Sequence, residues 1–164
     1  MTVTRVKSFK TGLVKAPIDD VWDLLMDFAG TLRWWPTPAE GGRPGPNITR
    51  VDLIGDPNSV PRTRRINLET GAIVDETLLY EDRATRRLYY DMEPQLDAQG
   101  NAFRGAIRGY LCVTTLEAQA PGSTRMTFEA TFDVMAPADP DEQRLAIEGI
   151  HEKAILNGFN RYFA

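Results

Sequence analysis

Residues 139–163 read DPDEQRLAIEGIHEKAILNGFNRYF, and this stretch decides the fold. Asp139 is a residue type that caps a helix, Pro140 fills the first helical position where a missing N–H costs nothing, and Glu142 stands three residues after the cap, where an acid reaches back to the open backbone. Beyond that start, Ile147, His151, Ala154, Ile155, Gly158, Phe159 and Tyr162 fall on one broad side. The spacing predicts a single long helix over 139–163. Its apolar stripe has to be buried against something, and the sequence before it offers mainly strands.

Those strands are read from alternation and punctuation. VKSFKTGLV (6–14) alternates as a strand. APIDDVWDLLMDF (16–28) follows with a helical period that groups Val21, Trp22, Leu25 and Phe28, starting near Pro17 and ending near Ala29 and Gly30. TLRWWPTPAEGGRPGPN (31–47) concentrates proline and glycine and is expected to be loop, with one helical turn around Leu32. ITRVDLIG, RTRRINL, IVDETLLYED and RRLYYDME are expected strands. After an irregular PQLDAQGNA come FRGAIRGYLCVTTLEA and TRMTFEATFDVMA. Seven strands with short connections imply one curved antiparallel sheet, an α+β fold in which the long helix lies on the concave face. No repeat or low-complexity segment interrupts the order, and residues 1–164 are expected to form a single domain.

The stretch RINLETGAIVDETLLY (65–80) poses the functional question. It reads as a hairpin turning at Thr70 and Gly71, which places Arg64, Ile66, Leu68, Ala72, Val74, Glu76, Leu78 and Tyr80 on one face. That face is apolar except for Arg64 and Glu76, which lie equidistant from the turn and so oppose each other across the two strands. Ionised groups buried in a packed core cost several kcal/mol unless paired. A cavity wall both pairs and hydrates them, so this face is expected to line a cavity.

Composition limits what the cavity can serve. With 164 residues, 42% hydrophobic and 26% charged, the chain suits one domain with a real core. Its net charge of −4 and scattered basic residues argue against nucleic acid as a partner. The single cysteine, Cys112, excludes an internal disulfide framework. No run is long enough to cross a bilayer and the N-terminus lacks a signal-like core, so a soluble, cytoplasmic protein without membrane insertion is expected. One histidine and one cysteine cannot build a zinc site, the carboxylates lack calcium-loop order, and no glycine-rich phosphate cradle leads from strand to helix. Neither a metal nor another cofactor is expected.

VKAPIDDVWDLLMDFAGTLRWWP, RINLETGAIVDETLLYEDRATRRLYYDM and GYLCVTTLEAQAPGSTRMTFEATFDV together resemble the START-like (SRPBCC, helix-grip) superfamily, in particular its polyketide cyclase/dehydrase-like branch. The superfamily includes bacterial polyketide cyclases and aromatases, the birch-pollen allergen group and the plant abscisic-acid receptors. The resemblance covers nearly the whole chain and implies a deep cavity between sheet and C-terminal helix. In the receptors, the positions similar to Glu76 and Tyr110 line the ligand pocket. Their gate and latch motifs are absent, with NLETG and GAI standing in those places, which argues against a hormone-receptor role.

If Tyr110 points inward, parity brings Arg108, Cys112 and Thr114 to the same wall, with Met126, Phe128, Ala130 and Phe132 beside them and Leu88, Tyr90 and Met92 continuing the lining. The expected ligand is a small hydrophobic or aromatic molecule, contacted by Trp35, Tyr80, Tyr90, Arg108, Tyr110, Phe128, Phe132 and Phe159. Arg64, Glu76 and His151 are the catalytic candidates. Arg64 would orient a carbonyl, Glu76 would exchange protons, and His151 would shuttle them near neutral pH. Each also has a structural reading: a cross-strand ion pair for Arg64 and Glu76, a packed ring for His151, and packing at the mouth for Trp34 and Trp35 in place of a lid. Cys112 reads as an inert core residue. Two functions follow. The first is a cofactor-independent cyclase or aromatase promoting aldol closure or dehydration, and the second is a non-catalytic carrier or sensor of a hydrophobic metabolite. A homodimer is compatible with either.

Overall fold

A computed structural model of the chain describes residues 2–37, 46–95 and 105–164. Seven strands form one antiparallel sheet: β1 (Val3–Val14), β2 (Ile48–Ile54), β3 (Arg62–Leu68), β4 (Ile73–Asp82), β5 (Arg87–Gln95), β6 (Ile107–Ala120) and β7 (Ser123–Met135). Strands β2 to β7 run as a meander, and β1 pairs with β7 to give the order β1-β7-β6-β5-β4-β3-β2. The hairpin expected at Thr70 and Gly71 is present. Gly71 adopts φ +86°, a conformation that favours glycine, and its N–H bonds Leu68 O at 2.9 Å.

Helix α1 (Ile18–Met26) buries Val21, Trp22 and Leu24. Leu24, not Leu25, is the buried leucine of this helix, while Leu25 is partly buried against the core. A 3-10 turn over Gly30–Arg33 supplies the helical turn expected around Leu32. The C-terminal rod of 23 residues starts as α2 (Pro140–Gly149), continues with π-type hydrogen bonding over Ile150–Leu156 and ends as α3 (Asn157–Tyr162). Asp139 caps it by accepting from Glu142 N at 2.9 Å. The expected stripe faces the sheet through Ile147, His151, Ala154, Ile155, Gly158 and Phe159, whereas Tyr162 is exposed. This is a helix-grip arrangement.

The rod also shields the β1 edge of the sheet. Asn160 accepts from Lys15 N and donates to Leu13 O, both at 2.8 Å, and Glu148 accepts from Phe9 N at 3.4 Å. Open edge groups that would otherwise template another strand are thereby occupied. The core lies between sheet and rod, where Met126, Phe128, Ala130 and Phe132 of β7 are fully buried.

Register shifts interrupt the alternation in several strands, and two of them fall at candidate lining residues. Between β4 and β5 the register moves from Leu78↔Tyr90 to Tyr80↔Tyr89, and between β6 and β7 from Arg108↔Asp133 to Leu111↔Thr131. One extra residue on a strand reverses which side chains face inward. Tyr80 therefore turns out to solvent, 42% exposed, and stacks near Tyr89 with ring centroids 4.9 Å apart. Arg108 turns out as well, with its guanidinium on Ile107 O at 2.8 Å and on Gly105 O, while Ile107 faces the core. The bulge in β6 sits at Gly109, φ +57°. The placement of Tyr80 and Arg108 in the ligand cavity is thus corrected. The sixth strand starts at Ile107 among the described residues, later than the segment FRGA suggests, and Phe103 and Arg104 lie outside them.

Candidate functional site

The site grows from one rung of the sheet. Arg64 pairs with Glu76, Glu76 with Met92 and Met92 with Tyr110, so four side chains from β3, β4, β5 and β6 stand in line on the concave face. Arg64 donates to Glu76 Oε2 through Nε at 2.6 Å and also through Nη2. Nη1 donates to Thr31 Oγ1 at 3.0 Å, and the guanidinium carbon lies 4.4 Å from the Phe28 ring centroid. The two side chains retain only 10% and 14% of their exposure. An Arg–carboxylate contact of this kind is geometrically specific, and its burial makes it far less open to screening than a surface pair. No described residue bonds to Glu76 Oε1.

At the other end of the rung Tyr110 meets the helix. Its hydroxyl lies 3.1 Å from His151 Nε2, and the imidazole stacks on Phe128 at 4.5 Å and 11°. His151 sits in the π-type stretch, the irregular turn that helices often carry at functional positions. Burial alone pushes its pKa down to about 3, so the ring is neutral around pH 7. That corrects the expectation of a proton shuttle titrating near neutrality, because transfer from water to a 1% exposed position penalises the cation. Burial likewise raises Tyr110 and Tyr90 well above the ordinary phenol value, with Cys112 and Glu76 adding to the effect. The Cys112 thiol is pushed up to about 11, chiefly by desolvation, which suits an inert core residue.

Arg64, Glu76, Tyr90, Tyr110 and His151 line a cavity under the rod, together with Thr31, Trp35, Ile66, Val74, Met92 and Ile147. It holds about 60 Å³ of free space, room for a few water molecules and narrower than the deep chamber implied by the resemblance. Isoleucines 147, 150 and 155 and Trp35 fill the space from the helix side and the mouth. Of the sequence candidates, Arg64, Glu76, His151, Trp35, Tyr90 and Tyr110 meet on this wall. Phe128, Phe132 and Phe159 lie behind it, backing His151, Tyr110 (6.0 Å between rings) and Trp34 (5.0 Å) respectively.

Sequence reasoning missed Thr31 and the clamp at the mouth. Thr31, 1% exposed, joins the Arg64 network from the 3-10 turn, but a lone threonine in a proline-rich segment gives no signal of this. Trp34 O accepts from Arg161 Nη2 at 2.7 Å, and a side chain at Gly158 would come within 2.3 Å of the same oxygen. The glycine in the helical stripe was the available clue to this close approach. Among the described residues no three acidic, histidine or cysteine side chains gather as a metal site, and no helix is long and apolar enough to cross a membrane.

The chain matches the family described as polyketide cyclase / dehydrase and lipid transport over residues 5–162. No curated protein matches it. Among solved structures, a Thermobifida fusca protein is similar at 22% identity and a TM-score of 0.72, covering 95% of this chain and 92% of that one. The ZhuI aromatase/cyclase from Streptomyces sp. R1128 is similar at 19% identity and 0.66, covering 98% and 93%. A START superfamily protein from Mycobacterium smegmatis is similar at 13% identity and 0.68, covering 96% and 99%. At these identities the likeness is one of fold.

Proposed function

Since the chain belongs to the polyketide cyclase / dehydrase and lipid transport family, we propose that its cavity binds a small hydrophobic or aromatic molecule and promotes aldol closure or dehydration without a cofactor. The observation that carries the reading is the buried Arg64–Glu76 pair on a wall whose other described side chains are uncharged. A container for an apolar ligand needs shape only; a charged pair held in a dry place is suited to orienting a carbonyl and moving a proton. In this reading Glu76 takes the proton α to a carbonyl. Three of the five guanidinium N–H groups of Arg64 serve Glu76 and Thr31, which leaves two for the developing enolate oxygen. Tyr110, held by neutral His151, is the donor at the opposite end.

A second reading, a carrier that does not transform its ligand, is favoured by the electrostatics of the Tyr110–His151 pair. Burial moves both groups away from neutrality in opposite directions, so neither exchanges protons readily at pH 7. Glu76→Gln separates the two. Under the enzyme reading it lowers turnover about a hundredfold or more while affinity stays near that of the parent. Ligand bound with unchanged affinity and never converted by either protein leaves the carrier.

A further inference from the structure

Two polar atoms of the lining residues are stranded. Trp35 Nε1 and His151 Nδ1 are buried and have no hydrogen-bond partner among the described residues, although buried polar groups nearly always find one in protein, water or ligand. Their chemistry differs. An indole N–H only donates, whereas Nδ1 of a neutral imidazole donates in one tautomer and accepts in the other, with Nε2 already engaged by Tyr110. The charge of the wall adds a third constraint. Arg64 and Glu76 are the only charged side chains of the lining among the described residues, and they neutralise each other.

We propose that Trp35 and His151 are the polar anchors of the ligand, and that the ligand is an uncharged aromatic ketone carrying a separate hydroxyl. A carbonyl oxygen suits the Trp35 N–H because it accepts without needing a partner for a proton of its own. A hydroxyl both donates and accepts, so it satisfies His151 Nδ1 in either tautomer. An anionic ligand finds no uncompensated cation on this wall. Because the free space is only about 60 Å³, the ligand reaches both nitrogens by displacing the side chains that narrow the chamber. The new hydrogen bonds favour that widened state over the closed one. The inference rests on the ligand-binding reading of the cavity and specifies what that cavity selects.

Four probes test it: 4-hydroxyacetophenone, 4-ethylphenol without the carbonyl, acetophenone without the hydroxyl, and anionic 4-hydroxybenzoate. Calorimetric titration of the parent protein is expected to rank 4-hydroxyacetophenone above each of the others by roughly three- to tenfold, the scale of one neutral hydrogen bond. Trp35→Phe should erase the preference for the ketone over 4-ethylphenol, and His151→Phe should erase the preference over acetophenone. In the parent protein the Trp35 indole N–H resonance should move downfield with the ketone and stay in place with 4-ethylphenol, a readout independent of any variant. Equal weakening of both probes by Trp35→Phe reduces Trp35 to packing and overturns the anchor, as does an unmoved resonance. Tightest binding by 4-hydroxybenzoate overturns the neutral ligand class. Failure of every probe to bind the parent protein removes the ligand-binding reading itself.

Discussion

A guanidinium on the dry face of a sheet has to be held by a counter-charge, and here Glu76 holds Arg64 with two bonds to one oxygen. Removing one member of a buried pair costs about 3–5 kcal/mol. Glu76→Ala is therefore expected to lower the unfolding free energy by about that amount, while Glu76→Gln, which keeps an acceptor, costs roughly 1–3 kcal/mol. Urea denaturation checks both, and equal, near-zero losses would mean that the pair is not buried in solution. His151 gives a pH signature. Its folded pKa, about 3, lies below its ordinary 6.5, so the unfolded chain binds the extra proton between those values. The protein thus loses stability as pH falls through that window and keeps it in full above about 6.5. From pH 7 to pH 5 the histidine's share is about 2 kcal/mol, and His151→Asn should flatten the pH dependence by that much. The pairing of Arg64 with Glu76 was legible in the sequence because a hairpin counts residues symmetrically about its turn. Neutral His151 was not, since the depth of its burial depends on the sheet facing it.

Elements meet here through a few close approaches. Gly158 lets the rod press against the Trp34 carbonyl, where an added Cβ would lie 2.3 Å from the oxygen. Gly158→Ala is expected to cost about 1–3 kcal/mol through overpacking and to alter tryptophan fluorescence, because Trp34 and Trp35 must shift together. Asn160→Ala removes two of the three bonds by which the rod covers the β1 edge. It should raise amide exchange at Lys15 well before it affects β6 or β7. Uniform protection across the sheet in that variant would show that the edge is held by other contacts. The strands were readable from alternation and their short connections from turn residues, whereas the bulges were not. Parity carried Tyr80 and Arg108 inward because nothing in LLYED marks an inserted residue. Gly109, between Arg108 and Tyr110, was the single mark of the bulge in β6, since its φ of +57° is one that other residues adopt at a cost.

At the scale of the whole molecule, the architecture follows from one long apolar stripe and seven strands, with no other surface for the stripe to cover. That much a periodicity argument reaches. The size of the chamber it does not reach, because free volume is the small remainder of many packed side chains and depends on how far Trp35 and three isoleucines extend into it. The central claim, that this chamber holds a small apolar molecule against Arg64 and Glu76 and transforms it by proton transfer, is tested most directly by mass spectrometry. The ligand that copurifies with the protein would be identified and incubated with parent protein and with Glu76→Gln. The claim predicts a bound aromatic molecule that the parent converts either to an isomer of changed retention and fragmentation, after aldol closure, or to a product lighter by one water, with conversion at least about a hundredfold slower by the variant. A ligand retained unaltered by both proteins, with the variant differing only in melting temperature, would contradict it.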